Sequence, residues 1–153
     1  MRHLLDRLHK VPHIKIYGHR DICPADRRSA VIPIVADTIN HSLLAAVLGY
    51  EWGIGVRHGC FCAHPYILHL FHIDDKALQA YKEQIAHGDH RKLPGFVRIS
   101  LGLYNTIEEI DYFIEALNSI VTRGPSAKYI EDVHTGEYHP EGFSYNFTDY
   151  SPI

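Results

Sequence analysis

The segment from 106 to 125 constrains the fold more than any other, since it combines a helical apolar stripe with defined ends. Thr106 and Glu109 have the spacing of a capping box, and Gly124 followed by Pro125 ends the helix. Large apolar residues recur at helical spacing between those ends: Ile107, Ile110, Phe113, Ile114, Leu117, Ile120 and Val121. A helix that is apolar along one face packs against a second layer of structure.

Three stretches predict strands. Residues 96–103 alternate, and the two faces are Phe96, Arg98, Ser100 and Gly102 on one side and Val97, Ile99, Leu101 and Leu103 on the other. Residues 13–17 alternate in the same way. Residues 29–36 are apolar and β-branched, and Pro33 is expected to confine this strand to a sheet edge or a bulge, because proline lacks an N–H.

The remaining patterns predict helices at about 2–10, 40–49, 65–71 and 74–87, and a brief strand at 53–57. This order predicts an α+β fold, in which a mainly antiparallel sheet carries helices on one face. We expect residues 1–125 to form that domain. The tail, 126–153, holds six aromatic residues without a sustained pattern, so we expect it to lie on a surface rather than build its own core.

Length and composition exclude several protein classes. A chain of 153 residues buries about 68–70% of its unfolded surface, which is enough for one core. No apolar run approaches the roughly 18 residues of a membrane span, and no secretory signal is evident, so we expect a cytoplasmic protein that binds no membrane. The formal net charge is −3 and no basic stripe is present, which argues against nucleic-acid binding.

Reactive groups concentrate between a predicted strand and a predicted helix, in the string RHGCFCAHP from 57 to 65. The three cysteines of the chain, Cys23, Cys60 and Cys62, form an odd set that favours free thiols over a disulfide framework. A thiol near Arg, His or a helix N-terminus ionises more readily and becomes a nucleophile. Two small buried cysteines in a turn, and a zinc site of Cys60, Cys62 and His64, remain alternatives, although C-x-C-x-H is not the usual zinc spacing.

Arg98 lies in the middle of a predicted strand, with Ser100 on the same face. An arginine there either reaches solvent and forms a surface salt bridge or offers its guanidinium fork to a carboxylate. The residues alone favour the surface salt bridge.

Two strings together resemble the class V aminotransferase fold, in particular group II cysteine desulfurases and selenocysteine lyases. IGVRHGCFCAHP is similar to the family's active-site loop, R-x-G-x-x-C-A-x-P, and RISLGLYNTIEEIDYFIEAL is similar to its C-terminal strand and helix. The resemblance covers about residues 1–121 and implies the small domain of a fold-type-I pyridoxal-phosphate enzyme. The insertion at about 73–95 and the tail are longer than in compact members.

The resemblance assigns roles by position. Cys62 matches the cysteine that attacks the substrate sulfur and carries a persulfide, and Arg98 matches the arginine that holds the substrate carboxylate. Arg57 matches a second active-site arginine near the mobile loop. Cys60 has no catalytic counterpart, because compact members often carry histidine there; a second thiol so close would resolve a persulfide or interfere with it.

The cofactor implied by the resemblance is pyridoxal phosphate, which the family holds on a lysine of a large domain. The lysines here are Lys10, Lys15, Lys76, Lys82, Lys92 and Lys128, and none lies in that sequence context. We therefore expect a small domain alone, which binds no cofactor and no metal and is inactive without its missing large domain. Homo-oligomerisation through the face left exposed and a sulfur-acceptor protein are further expectations.

Two other functions stay open. The chain would be the small domain of another class V enzyme, such as an epimerase, a transaminase or a C–S lyase, if Cys62 is incidental. It would be a non-catalytic or metal-binding interaction module if the sheet face and the aromatic tail serve docking.

Overall fold

The structure is a computed structural model that describes residues 1–18, 29–91 and 93–144. Its helices are α1 (Arg2–Leu8), α2 (His41–Trp52), α3 (His64–Leu70), α4 (Asp75–Ala86) and α5 (Ile107–Arg123). Its strands are β1 (Ile14–Ile16), β2 (Val31–Ala36), β3 (Arg57–Gly59), β4 (Phe96–Ser100), β5 (Tyr129–Glu131) and β6 (Tyr138–Pro140). Cys23 lies outside the described residues. Within them, no helix is long and apolar enough to cross a membrane.

A four-stranded sheet in the order β1-β2-β4-β3 forms the centre of the domain, and every neighbouring pair is antiparallel. The predicted α+β class with a mainly antiparallel sheet is confirmed. The register sets Ile32 opposite Ile99 across β2 and β4. On the other side of β4, Arg57 of β3 lies opposite Arg98.

Helices α1, α2 and α5 cover one face of the sheet and enclose the core. Its fully buried side chains include Leu4, Leu8, Ile34, Leu44, Leu48, Val97 and Leu117. Burying each such side chain contributes about 1.5–3 kcal/mol, so this face supplies most of the domain's hydrophobic stabilisation. The apolar stripe of α5 was predicted from its spacing and lies in this core, apart from the exposed Ile107 at its start.

The opposite face of the sheet carries aromatic and cationic side chains. The Phe96 ring lies 4.9 Å from that of Phe71, which follows α3, and 4.7 Å from that of Tyr17 (centroid distances). Alternation along β4 places Arg98 on the same face as Phe96. Arg98 therefore lies on the same sheet face as an aromatic cluster.

The prediction that Pro33 confines β2 to a sheet edge or a bulge is wrong, since β2 pairs with both β1 and β4 in continuous register. The Pro33 carbonyl accepts a hydrogen bond from Tyr17 N–H at 3.0 Å, on the β1 side and just past the end of β1. The N–H and C=O of one strand residue point to the same side. The N–H that Pro33 lacks would therefore also face β1, which is only a short strand. The ladder with β4 loses no hydrogen bond.

One further boundary differs from the sequence pattern. Strand β4 ends at Ser100, and Leu103, predicted to share a strand face with Val97 and Ile99, is fully exposed. A turn explains this difference: Asn105 Oδ1 accepts from Gly102 N–H at 2.7 Å, and Asn105 N–H donates to Gly102 C=O at 3.2 Å.

The tail contains a hairpin of β5 and β6 that the sequence pattern does not predict. Glu51 of α2 anchors its base by accepting hydrogen bonds from Ser126, Ala127 and the Tyr129 hydroxyl at 2.7–3.2 Å. Burial opposes ionisation of Glu51, but these hydrogen bonds outweigh it and hold the pKa of the carboxyl below its usual range. The aromatic residues of the last nine positions lie outside the described residues.

Candidate functional site

The turn that joins β3 to α3 has an unusual backbone. Ala63 N–H donates to Cys60 C=O at 2.8 Å, and the two central residues, Phe61 and Cys62, have φ angles of 50° and 59°. Positive φ at both central residues is the geometry of a type I′ turn, which normally carries Asn and Gly. A residue with a Cβ loses roughly 1–2 kcal/mol in this region, so the turn stores strain while it exposes Cys62.

Arg57 and Arg98 lie directly opposite each other on one face of the sheet. Like charges at such a position repel each other unless an anion lies between them. In the described part of the chain, no acidic side chain forms an ion pair with either, and Arg98 Nε is buried without a hydrogen-bond acceptor. The Arg98 guanidinium carbon lies 4.9 Å from the centre of the Phe61 ring, which ties it to the cysteine turn.

The two described cysteines are free thiols in different surroundings. Cys60 is half-buried, and its Sγ lies 2.7 Å from Nε2 of His64, the first residue of α3. Cys62 is exposed, and none of the described residues forms a hydrogen bond with its thiol. A nucleophile and a base are thus in contact at Cys60.

A chain of hydrogen bonds runs through two histidines beside this turn. His41 Nε2 lies 2.9 Å from Leu93 C=O, which only accepts, so Nε2 carries the proton. Burial lowers the pKa of His41, although the bond to Leu93 opposes that effect, and His41 Nδ1 is therefore an acceptor. His58 Nδ1 lies 3.3 Å from it, and His58 Nε2 lies 2.9 Å from Glu137 Oε2. These contacts link Leu93 through both histidines to Glu137.

The tip of the β5–β6 hairpin closes one side of the site. Ser42 Oγ donates to Gly136 C=O at 2.7 Å, and Glu137 bonds to His58. A Cβ at Gly136 would lie 2.6 Å from His90 C=O, so only glycine permits this close approach. The hairpin is therefore joined both to the start of α2 and to the loop before β4.

The cysteine turn, the start of α2, the loop before β4 and the hairpin tip surround a cavity of about 360 Å³. Its polar lining includes Arg57, His58, Cys60, Cys62, His64 and Glu137. Arg98 does not line the cavity and meets it through Phe61, which does. The structure thus brings Cys62, Arg57 and Arg98 to one region, while their chemical roles stay predictions.

Sequence patterns did not identify His41, Ser42 or Glu137 as parts of the site. His41 and Ser42 follow Asn40, whose side chain caps α2, and that cap is the one local signal at this position. Glu137 lies 79 residues from its partner His58, and no spacing rule connects them.

The sequence raised two possible bound groups, a zinc ion and pyridoxal phosphate, and the arrangement of the residues can be compared with what each group requires. Across the described ranges, no group of three or more His, Cys, Asp or Glu side chains is arranged to hold a metal ion. Pyridoxal phosphate requires a lysine amine, and none of the described lysines lines the cavity; Lys15 and Lys128 are bonded to Asp37 and Glu141. The cavity as described does not fit covalent attachment of that cofactor.

The comparisons with known proteins agree on one family. The Aminotransferase class-V family model matches residues 1–113. A probable cysteine desulfurase of Xylella fastidiosa (strain Temecula1) is 31% identical over 117 residues, which cover 76% of this chain and 22% of that protein. A probable cysteine desulfurase of Vibrio cholerae is 29% identical over 112 residues, which cover 73% of this chain and 21% of that protein. The chain spans about a fifth of the length of the curated relatives it matches.

Two solved structures share the fold. The cysteine desulfurase CsdA of Escherichia coli, in an S-sulfonic acid form, gives a TM-score of 0.52 at 22% identity and covers 75% of this chain and 22% of that chain. The apo cysteine desulfurase of Thermococcus onnurineus NA1 gives a TM-score of 0.55 at 22% identity and covers 78% of this chain and 24% of that chain. At these identities the likeness concerns the fold alone.

Proposed function

This chain belongs to the class V aminotransferase family, and on that premise we propose that it is the C-terminal small domain of a cysteine desulfurase or selenocysteine lyase. The whole enzyme would remove sulfur from cysteine, or selenium from selenocysteine, and leave alanine. The observation that carries this proposal is the pair of opposed arginines without an acidic partner in the described residues, next to the turn that exposes Cys62.

The arginine pair suits a substrate carboxylate. A guanidinium donates two parallel hydrogen bonds to a carboxylate, and each charge-assisted bond contributes about 1.5–3 kcal/mol. Arg98 is half-buried and supported by the Phe61 ring, so its fork is held in place before an anion arrives. Arg57 is exposed and lies opposite Arg98 on the neighbouring strand, where it would bind the same anion.

Cys62 would accept the sulfur. Its thiolate forms an S–S bond to the substrate sulfur while the C–S bond of the substrate breaks. The electron pair of that bond stays on the substrate carbon, which takes up a proton, so the products are alanine and a Cys62 persulfide. Exposure of Cys62 at the tip of the turn supports both the attack and the later delivery of sulfur.

The cofactor and the partners would come from outside the described residues. Since no described lysine lines the cavity, a pyridoxal-phosphate-binding large domain would have to supply the coenzyme, and the isolated chain should not turn over. We also propose a homo-oligomer and a sulfur-acceptor protein as partners. A cytoplasmic location suits the two free thiols, because such thiols persist in a reducing compartment.

The test requires the chain joined to its large domain and assayed with L-cysteine and with L-selenocysteine. We expect alanine from both and, with cysteine, a persulfide that mass spectrometry assigns to Cys62. Cys62→Ala should abolish persulfide formation, whereas Cys23→Ala, which removes a thiol outside the loop, should not. Undiminished turnover of L-cysteine in Cys62→Ala would favour another class V activity, such as transamination, epimerisation or C–S lysis.

Two arginine variants test the carboxylate site separately. Arg98→Lys keeps the charge and loses the fork, so KM for L-cysteine should rise by on the order of tenfold or more. Arg123→Lys, at the end of α5, is the matched control and should leave KM unchanged. Equal KM values for Arg98→Lys and the wild type would remove Arg98 from substrate binding.

A further inference from the structure

The proposed function does not use the contact between Cys60 and His64. Cys60 Sγ and His64 Nε2 are 2.7 Å apart, which places a thiol and an imidazole in direct hydrogen-bond contact. A nucleophile beside a base at this distance is the arrangement of an activated thiol. Both residues line the same cavity as Cys62.

The thiols of Cys60 and Cys62 therefore differ in their chemical surroundings. Cys60 has a base in contact, whereas Cys62 has an exposed position and no hydrogen-bond partner in the part of the chain that the structure describes. The other titratable or charged groups on the cavity wall are Arg57, His41, His58, His90 and Glu137. His41 and His58 bond to each other and to other partners, so among the described groups His64 is the base assigned to Cys60.

We propose that Cys60 is a second sulfur-carrying thiol, which takes the outer sulfur of a Cys62 persulfide with His64 as its base. This inference rests on the proposed role of Cys62 as the first sulfur acceptor. It adds an intramolecular relay within one turn, from an exposed thiol to a half-buried one.

The step balances without an external oxidant or reductant. His64 Nε2 takes the proton of the Cys60 thiol, and Cys60 Sγ forms an S–S bond to the outer sulfur of the Cys62 persulfide. The original S–S bond breaks, and its electron pair stays on Cys62 Sγ as a thiolate, which is the leaving group of this exchange. The outer sulfur changes its carrier and keeps its oxidation state.

The first experiment measures the reactivity of each thiol in the 153-residue chain by iodoacetamide alkylation and peptide mass spectrometry. His64→Gln should slow the alkylation of Cys60 on the order of tenfold. His69→Gln, at an exposed histidine of the same helix, is the matched control and should leave that rate unchanged.

A second variant guards against a purely structural effect of the substitution. In His64→Gly, free imidazole added to the buffer should restore the alkylation rate of Cys60, because it can enter the space of the missing ring. A Cys60 rate that is the same in the wild type, His64→Gln and His64→Gly would overturn the role of His64 as base.

The second experiment follows the sulfur itself. The chain is treated with less than one equivalent of inorganic polysulfide, and persulfides on each cysteine peptide are trapped and quantified over time. In the wild type, the Cys62 persulfide should decay as the Cys60 persulfide grows, at a rate independent of protein concentration. In Cys60→Ser and in Cys60→Ala, the Cys62 persulfide should persist, and His64→Gln should slow the transfer on the order of tenfold.

The outcomes separate the relay from the function on which it rests. A Cys62 persulfide that lasts equally long in the wild type and in Cys60→Ser overturns the relay and leaves the proposed function intact. Absence of sulfur on Cys62 in every variant would instead overturn its role as acceptor, and the relay with it.

Discussion

Helices α5 and α3 both follow a turn at the end of a strand, yet the two helix starts are built differently. At α5, Thr106 Oγ accepts from Glu109 N–H at 3.3 Å, and Glu109 Oε2 accepts from Thr106 N–H at 3.0 Å. At α3, Ala63 provides no side-chain cap, and the two residues before it have positive φ. One helix start has a capping box, and the other has no side-chain cap.

The difference separates a region built for stability from one that supports chemistry. The capping box of α5 contributes about 1 kcal/mol, and the helix behind it fills the core. The start of α3 loses roughly 1–2 kcal/mol for each strained residue, and what that conformation provides is an exposed thiol next to a thiol–imidazole pair. Four predictions measure the two regions against each other.

The largest effect is expected in the core behind α5. Leu117 is fully buried, so Leu117→Ala should lower the free energy of unfolding by about 2–5 kcal/mol through lost burial and a residual cavity. Urea denaturation measures this change. Leu103→Ala makes the same substitution at a fully exposed position and should stay within about 0.5 kcal/mol; equal losses at both positions would contradict the assigned core.

The site beside α3 should make stability depend on pH. Half-buried His41 has a pKa below its usual value of 6.5, so below about pH 6.5 the unfolded chain binds a proton that the folded chain binds less readily. Stability is therefore complete above that pH and falls as the pH is lowered, by at most about 1.4 kcal/mol per pH unit. His41→Gln should lose this component in urea unfolding near pH 7.5 and pH 5.5; an unchanged slope would show that His41 does not cause it.

The cap of α5 should have a smaller, isolated effect. Thr106→Ala removes the acceptor of Glu109 N–H and should cost about 1 kcal/mol. Thr106→Ser keeps the hydroxyl and should cost much less. Both values come from urea denaturation, and equal losses for the two variants would mean that the methyl group, rather than the cap, stabilises the helix start.

The smallest effect should have the opposite sign. Cys62→Gly removes the Cβ from a residue at φ 59° and should stabilise the chain by about 0.5–1 kcal/mol, after the entropy that glycine adds to the unfolded state is subtracted. Cys62→Ala keeps a Cβ and should give no such gain. Stabilisation by both variants, or by neither, would show that backbone strain at Cys62 is not the cause.

Local sequence patterns predicted an element correctly where the interactions that form it lie within a few residues of each other. The capping box, the apolar stripe of α5 and the alternation of β4 are of this kind, and the structure contains all three. The Pro33 prediction failed because the cost of a missing N–H depends on which neighbour that side of the strand faces. The β5–β6 hairpin was missed because its anchor is Glu51, far away in the chain.

The sequence by itself determined the fold class and the strand-and-helix order around the cysteine turn, and its resemblance to the class V aminotransferase fold pointed to Cys62, Arg57 and Arg98 as candidates. Only the tertiary structure decided that Arg57 lies opposite Arg98, that Cys60 meets His64 and that Glu137 reaches His58. The physical reason is that backbone periodicity and capping are short-range properties of the chain. Strand register, turn geometry and the packing of a distant hairpin depend on the whole domain, and those are what bring reactive groups into contact.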